Sequence, residues 1–232
     1  MIFEKKYKVS QKDCDPYDRL TLRNLASLMV DTSFDQAKII EKDIDMKDYR
    51  WIVYSWDIEI LEPIEAGRKL TIKTWPSFMR KFYAYREFEV LANDMLVARA
   101  RAVLMLIDIK RLRPIKIPQD LEKAYGEGEK SFESPSLTYK KDLELKGEIA
   151  IRLADIDRNF HVNNAVYFDL IKELTGIYDK GIRSISLVYR NEIRDKKKVL
   201  GYMKKDGSEI DLALKNLAGD RVYCFGKIRT YV

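Results

Sequence analysis

The stretch Asp155-Ile156-Asp157-Arg158-Asn159-Phe160-His161-Val162-Asn163-Asn164 has a counterpart early in the chain, Asp13-Cys14-Asp15-Pro16-Tyr17-Asp18-Arg19. Set one over the other, the two Asp-x-Asp pairs fall in register, the mark of an internal repeat. A helical pattern follows each. Leu22, Leu25, Ala26, Met29, Val30 and Ser33 share one face at a spacing of about 3.6 residues, and Val166, Tyr167, Leu170, Ile171 and Leu174 do the same. Thr21 and Asn163 stand where N-cap residues belong, because their side-chain oxygens can accept the unsatisfied N–H groups of a first turn.

Beyond each helix the pattern changes to strands rich in Val, Ile, Tyr, Phe and Trp. In the first half they are expected at about 51–61, 69–75, 82–92 and 95–108. In the second they are expected at 148–153, 182–193, 198–204, 209–217 and 221–232. Asn93-Asp94 is a hairpin signal, and Asp206-Gly207 and Ala218-Gly219-Asp220 mark tight turns. Residues 110–146 carry Pro114, Pro118, Pro135, Gly126 and Gly128 and read as a connector with a short helix near 119–125. The expected class is α+β: two long helices, each wrapped by a curved antiparallel sheet, with the halves sharing one continuous sheet. The units are 1–120, a linker at 121–146, and 147–232.

A hydrophobic share of 46% in 232 residues supports a substantial core. Cys14 and Cys224 form no CxxC and read as free thiols in a reducing compartment. The charged start lacks a signal-peptide pattern, and no run of 18 apolar residues exists, so neither a leader nor a membrane span is expected and the cytoplasm is the expected location. The net charge of +6 suits an acidic partner. Nucleic acid is not expected, since the basic residues carry no recognisable binding motif. Basic clusters lie in the tract 190–205 and at Lys110, Arg111, Arg113 and Lys116.

His161 is the only histidine, so the chain has one side chain that ordinarily titrates near neutral pH. Carboxylates and an amide surround it within the same loop. No cluster of metal-ligand residues competes for it, so neither a metal nor an organic cofactor is expected.

Four stretches, in order along most of the chain, resemble the acyl-acyl carrier protein (acyl-ACP) thioesterases, double hot-dog enzymes of bacteria and plastids. The first is Thr74-Trp75-Pro76 with Arg80 and Tyr85-Arg86-Glu87-Phe88-Glu89-Val90. The second is Leu106-Ile107-Asp108 leading to Arg111-Leu112-Arg113-Pro114 and Ile117-Pro118. The third, and most specific, is Asp155 to Asn164 continuing to Tyr167; the fourth is Ile185-Ser186-Leu187-Val188-Tyr189-Arg190-Asn191-Glu192. The resemblance implies a tandem hot-dog fold and hydrolysis of fatty acyl thioesters on acyl carrier protein. It places the family's catalytic network on Asp157, Asn159, His161 and Glu192. Many plant members carry a cysteine where this chain has Ile193, so a cysteine nucleophile is excluded at that position. Relatives often have Gly or Gln where this chain has Phe160.

Thioester hydrolysis needs a water held against the carbonyl, a base for its proton, and donors for the oxyanion. Glu192 or Asp157 is the candidate base, with Asn159 and His161 orienting the network. Asn163 and Asn164, at the opening of the second helix, are candidate substrate-binding residues near a helix end that favours negative charge. In the first-half copy Arg19 and Tyr17 replace His161 and Asn159, so only the C-terminal half is expected to be active. The N-terminal half then supplies an acyl tunnel, with Leu25, Met29, Trp51 and Tyr54 as candidate walls. Acyl carrier protein is the expected partner, and exposed sheet edges or helix faces leave a homodimer open.

Three rivals remain at this stage. An acyl-CoA thioesterase of the same fold differs only in the carrier, and a non-catalytic acyl-ACP binding module would bind without turnover. Hot-dog dehydratases often carry Asp-x-Asn-Pro-x-His, with five residues from Asp to His. Here the step from Asp157 to His161 is four, and no proline follows Asn159.

Overall fold

The computed structural model describes residues 1–134, 136–194 and 197–231. Pro135 of the expected connector, Asp195 and Lys196 of the basic tract, and Val232 of the last expected strand lie outside the described residues. The elements in chain order are β1 (Phe3–Lys8), α1 (Leu22–Ile40), β2 (Tyr49–Ile60), β3 (Lys69–Arg80), β4 (Tyr83–Ala92), β5 (Met95–Asp108) and β6 (Arg113–Pro114). There follow α2 (Gln119–Tyr125), β7 (Glu144–Ala150), α3 (Val166–Thr175), β8 (Ile182–Tyr189), β9 (Lys198–Asp206), β10 (Glu209–Lys215) and β11 (Val222–Thr230).

The strand order is β1-β3-β4-β5-β2-β8-β11-β10-β9-β7, with β6 paired onto β5. The second half therefore repeats the first in mirrored order across the β2–β8 seam. That seam is an antiparallel pairing from Ser55↔Val188 to Glu59↔Ser184, so the halves share one backbone ladder. This is the double hot-dog architecture.

Local chemistry explains the elements. The Thr21 hydroxyl accepts the Asn24 N–H at 3.2 Å and starts α1, as its position predicts. Leu22, Leu25, Ala26, Met29, Thr32, Gln36 and Ala37 form the buried face. Val30 and Ser33 flank it, half-buried. Asn93 and Asp94, at φ 50° and 63°, make the left-handed turn whose twist suits the β4–β5 hairpin. Beneath α3, Gly201 permits close approach, since a Cβ there would come within 2.5 Å of Leu174 Cδ1.

Several boundaries differ from the pattern reading. β1 was not legible as a strand, because its apolar side is only Phe3, Lys5 and Tyr7 and none of its residues is fully buried. β3 runs on through Pro76 to Arg80 by way of a bulge between Pro76 and Phe78. β7 runs from Glu144 to Ala150, where 148–153 was expected, and Leu153, the expected last residue, opens a 3-10 turn, Leu153–Asp155. β8 ends at Tyr189, four residues short of the expected end, which frees Glu192 from the ladder.

One core lies between α1 and the sheet, including Leu25, Met29, Trp56, Ile72, Phe88 and Leu187. A second lies under α3, including Val166, Tyr167, Leu170, Ile193, Leu214 and Cys224. Cys14 and Cys224 are both free.

The connector after α2 is held by the sheet of the first half. Trp75 Nε1 donates to the Glu129 carbonyl at 2.6 Å, and the Gly128 N–H donates to the Ser77 carbonyl at 3.0 Å. Glu87 Oε2 accepts the Ser131 hydroxyl at 2.7 Å, and Arg101 donates to the Phe132 carbonyl at 2.6 Å and to the Ser134 hydroxyl at 2.9 Å. Arg101 Nε and Glu87 Oε1 pair at 2.6 Å, both side chains buried.

Candidate active site

The loop before α3 and the loop before α1 have the same backbone. In the first, the Asp157 N–H donates to the His161 carbonyl at 2.9 Å, Phe160 N–H to the Asp157 carbonyl at 3.0 Å, and Asn163 N–H to the Asp155 carbonyl at 3.1 Å. In the second, the Asp15 N–H donates to Arg19 at 2.7 Å, Asp18 N–H to Asp15 at 3.0 Å, and Thr21 N–H to Asp13 at 3.1 Å. Phe160 and Asp18 share a left-handed backbone, at φ 60° and 58°. The register of the repeat thus holds bond for bond through these three contacts.

In the C-terminal copy, Asp155 anchors the base. Its carboxylate accepts the Arg152 N–H at 2.7 Å and the guanidinium at 2.8 Å. Burial opposes its ionisation, but these bonds to Arg152 outweigh that and hold its pKa below the usual range.

Asp157 Oδ1 accepts the Asn159 N–H at 2.7 Å, and Oδ2 accepts the Asn159 side-chain amide at 3.2 Å. His161 lies between two carboxylates, with Nδ1 3.6 Å from Asp157 Oδ2 and Nε2 3.8 Å from Glu192 Oε1. The imidazole side chain is 18% exposed and that of Glu192 48%, so the glutamate meets water. Arg194 Nε holds the other Glu192 oxygen at 2.7 Å. The structure therefore brings Asp157, Asn159, His161 and Glu192 into one group.

Arg50 joins them, and pattern reading had missed it. From the start of β2 its Nη1 donates to Asn159 Oδ1 at 2.6 Å, leaving the amide nitrogen to face Asp157. The contact spans 109 residues of sequence, and no local pattern signals it.

Asn163 is committed to structure. Its Oδ1 accepts the Ala165 N–H at 2.9 Å and caps a turn leading into α3, while α3 itself begins at Val166 with no side-chain cap. The Asn164 carbonyl accepts the Tyr189 hydroxyl at 2.9 Å. Burial holds the Tyr167 and Tyr189 phenols well above their ordinary pKa, so Tyr189 remains a neutral donor there. The Asn164 N–H has no acceptor among the described residues. Its counterpart in the other half, the Leu22 N–H, donates to Asp179 Oδ1 at 2.9 Å. The Leu22 N–H thus meets an internal carboxylate at the first residue of α1, whereas Asn164 precedes the first residue of α3 by two positions.

In the N-terminal copy Arg19 turns to Glu65, and the buried Asp15 Oδ2 has no hydrogen-bond partner among the described residues.

An apolar cleft with about 530 Å³ of empty space opens between the C-terminal half of α1 and the sheet. Val30, Phe34, Trp51, Met79, Leu104 and Tyr125 line it. Trp51 is thus at the cleft wall, its Nε1 tied to Glu41 at 2.7 Å. Leu25 and Met29 are buried in the core under α1 and do not line the cleft. Tyr54 packs against Tyr83, with ring centroids 5.4 Å apart. Trp51 follows Arg50 in β2, so the two side chains leave opposite faces of the strand.

Among the described residues, no group of His, Cys, Asp and Glu could hold a metal ion. No helix among them is long and apolar enough to cross a membrane.

Comparison with known proteins fits this arrangement. A family model described as the acyl-ACP thioesterase N-terminal domain matches residues 1–125, and one described as the C-terminal domain matches residues 138–221. No curated protein sequence matches the chain significantly. Among solved structures, an acyl-ACP thioesterase from Bacteroides thetaiotaomicron superposes with a TM-score of 0.87 at 21% identity, covering 99% of this chain and 98% of that one. The 12:0-ACP thioesterase from Umbellularia californica superposes with a TM-score of 0.83 at 17% identity, covering 99% and 97%. A predicted thioesterase from Bacillus stearothermophilus superposes at 0.50 and 15% identity, 54% of this chain covering 94% of that one. At these identities the superpositions establish the fold.

Proposed function

The chain belongs to the acyl-ACP thioesterase family, a family of hydrolases acting on thioesters, and from that membership we propose that it hydrolyses fatty acyl-acyl carrier protein to free fatty acid. The observation that carries the reading is the placement of His161 between Asp157 and Glu192.

Both oxygens of Asp157 are engaged by Asn159, so this carboxylate positions the loop. Glu192 is the base, because it is half-exposed and its Oε1 faces His161. Water adds to the thioester carbonyl carbon and gives its proton to Glu192. The negative charge that develops on the carbonyl oxygen is met by the Asn164 N–H and by His161 as donors. The tetrahedral adduct then expels the thiol, the C–S bond breaking and the Glu192 proton passing to sulfur. The acyl chain enters the cleft past Trp51.

Thiol release decides the matter, measured on a chain-length series of acyl-ACPs and the matching acyl-CoAs, with His161→Ala as control. Turnover of the protein-bound esters that the control loses supports the reading. Turnover of CoA esters alone assigns a CoA-dependent hydrolase, and silence from folded protein leaves only a binding module.

A further inference from the structure

Six non-glycine residues among those described have a left-handed backbone. Asp18, Asn93 and Asp94 are types that tolerate it, and Lys81 is polar. The other two, Leu112 and Phe160, are bulky and apolar, and their side chains point to solvent at 73% and 78% exposure. At Phe160 the fold does not demand a bulky apolar residue. The repeated loop has the same backbone with Asp18 in place of Phe160, so a polar residue satisfies the turn. An exposed Leu or Phe there costs conformational strain and gains no burial.

A short chain of contacts links the two positions. Phe160 follows Asn159, which Arg50 holds. Arg50 pairs in register with Ile107, and Leu112 closes the turn between β5 and β6 just beyond it. Exposed cations surround this turn and the loop: Lys110, Arg111, Arg113, Lys116 and Arg158. Asp48 and Asp108 offset the first two, while Arg113, Lys116 and Arg158 make no ion pair among the described residues.

We propose that Leu112 and Phe160 are the apolar anchors of a docking surface for the acidic carrier protein, set in a basic rim beside His161. This rests on the carrier assignment above. A few central residues carry most of the affinity of an interface, and complementary charge around them steers the encounter. A second copy of the chain fits poorly, because the rim would meet its own positive charge.

The test uses Phe160→Asn and Leu112→Asn, singly and together, since Asn suits a left-handed backbone and keeps both loops folded. Each protein is assayed on an acyl-ACP and on acyl-pantetheine with the same acyl chain. The double variant is expected to raise KM for acyl-ACP roughly tenfold, with kcat and the acyl-pantetheine kinetics unchanged. Equal losses on both substrates, or no change on acyl-ACP, would overturn the docking surface. A wild type that does not prefer acyl-ACP to acyl-pantetheine would overturn the carrier assignment itself, and this is read before any variant is made. A wild-type dimer that Leu112→Asn dissociates in sedimentation would assign the patch to self-association instead.

Discussion

His161 owes its position to backbone bonds that the loop makes with or without it. The Asp157 and Phe160 amides close the turn, and Arg19 occupies the same place in the other half without disturbing it. The side chain itself makes only long contacts, Nδ1 with the Val162 carbonyl at 3.4 Å and with Asp157 at 3.6 Å, and Nε2 with Glu192 at 3.8 Å. His161→Ala should therefore cut kcat by at least about 100-fold while shifting stability by less than about 0.5 kcal/mol. Activity with wild-type urea denaturation read beside it checks both halves of that statement, and a loss of only a few-fold would remove His161 from the chemistry. Arg50 acts at one remove. Without its 2.6 Å bond the Asn159 amide can rotate away from Asp157. Arg50→Ala should lower kcat by roughly tenfold with little change in KM, and Arg50→Lys should restore part of it. A KM effect alone would make Arg50 a substrate contact. The loop around His161 was legible as a candidate site because its residues are contiguous and repeated. Arg50 was not, since only the folded sheet brings the start of β2 to that loop.

The connector between the halves shows the same limit for an element. Its prolines and glycines mark it as irregular, and α2 lies where the pattern puts it. What holds the remainder is the Glu87–Arg101 pair, whose members sit on adjacent strands and read in sequence as ordinary charged positions of a half-exposed sheet. Both are buried, and Glu87 also accepts the Ser77 hydroxyl at 2.7 Å and the Ser131 hydroxyl at 2.7 Å. Removing one partner strands the other without water. Glu87→Leu or Arg101→Met alone should each cost about 3–5 kcal/mol. The double replacement Glu87→Leu with Arg101→Met should cost clearly less than the sum, because no unpaired charge remains. Urea unfolding of the four proteins gives the coupling. Additive losses would show that the pair does not act as a unit. β1 was missed for a related reason: its half-buried outer edge offers only a weak alternation, and its identity comes from pairing with β3.

At the scale of the whole molecule, the halves are joined where β2 and β8 share a ladder, and Asp57 sits on that seam in register with Ser186. Burial raises its carboxyl pKa above the ordinary 3.8, with the Ser186 and Ser134 hydroxyls opposing the shift only in part. A carboxyl with a raised folded-state pKa keeps its proton in the native protein after the unfolded chain has lost it. Its contribution to stability is thus full below the unfolded value of 3.8 and is lost as pH rises through the raised folded value. Asp57→Asn cannot titrate and keeps an oxygen for one of the two hydroxyls. Relative to that variant, the wild type should lose stability as pH rises from about 4 toward neutrality. Other groups titrate alike in both proteins, so the difference between their urea midpoints isolates the seam. A wild type that gains on Asp57→Asn over the same interval would mean that the hydroxyls, rather than burial, govern this carboxylate. The seam would then be held by charge-assisted bonds, and the join between the halves would strengthen with ionisation where the buried position of Asp57 requires it to weaken.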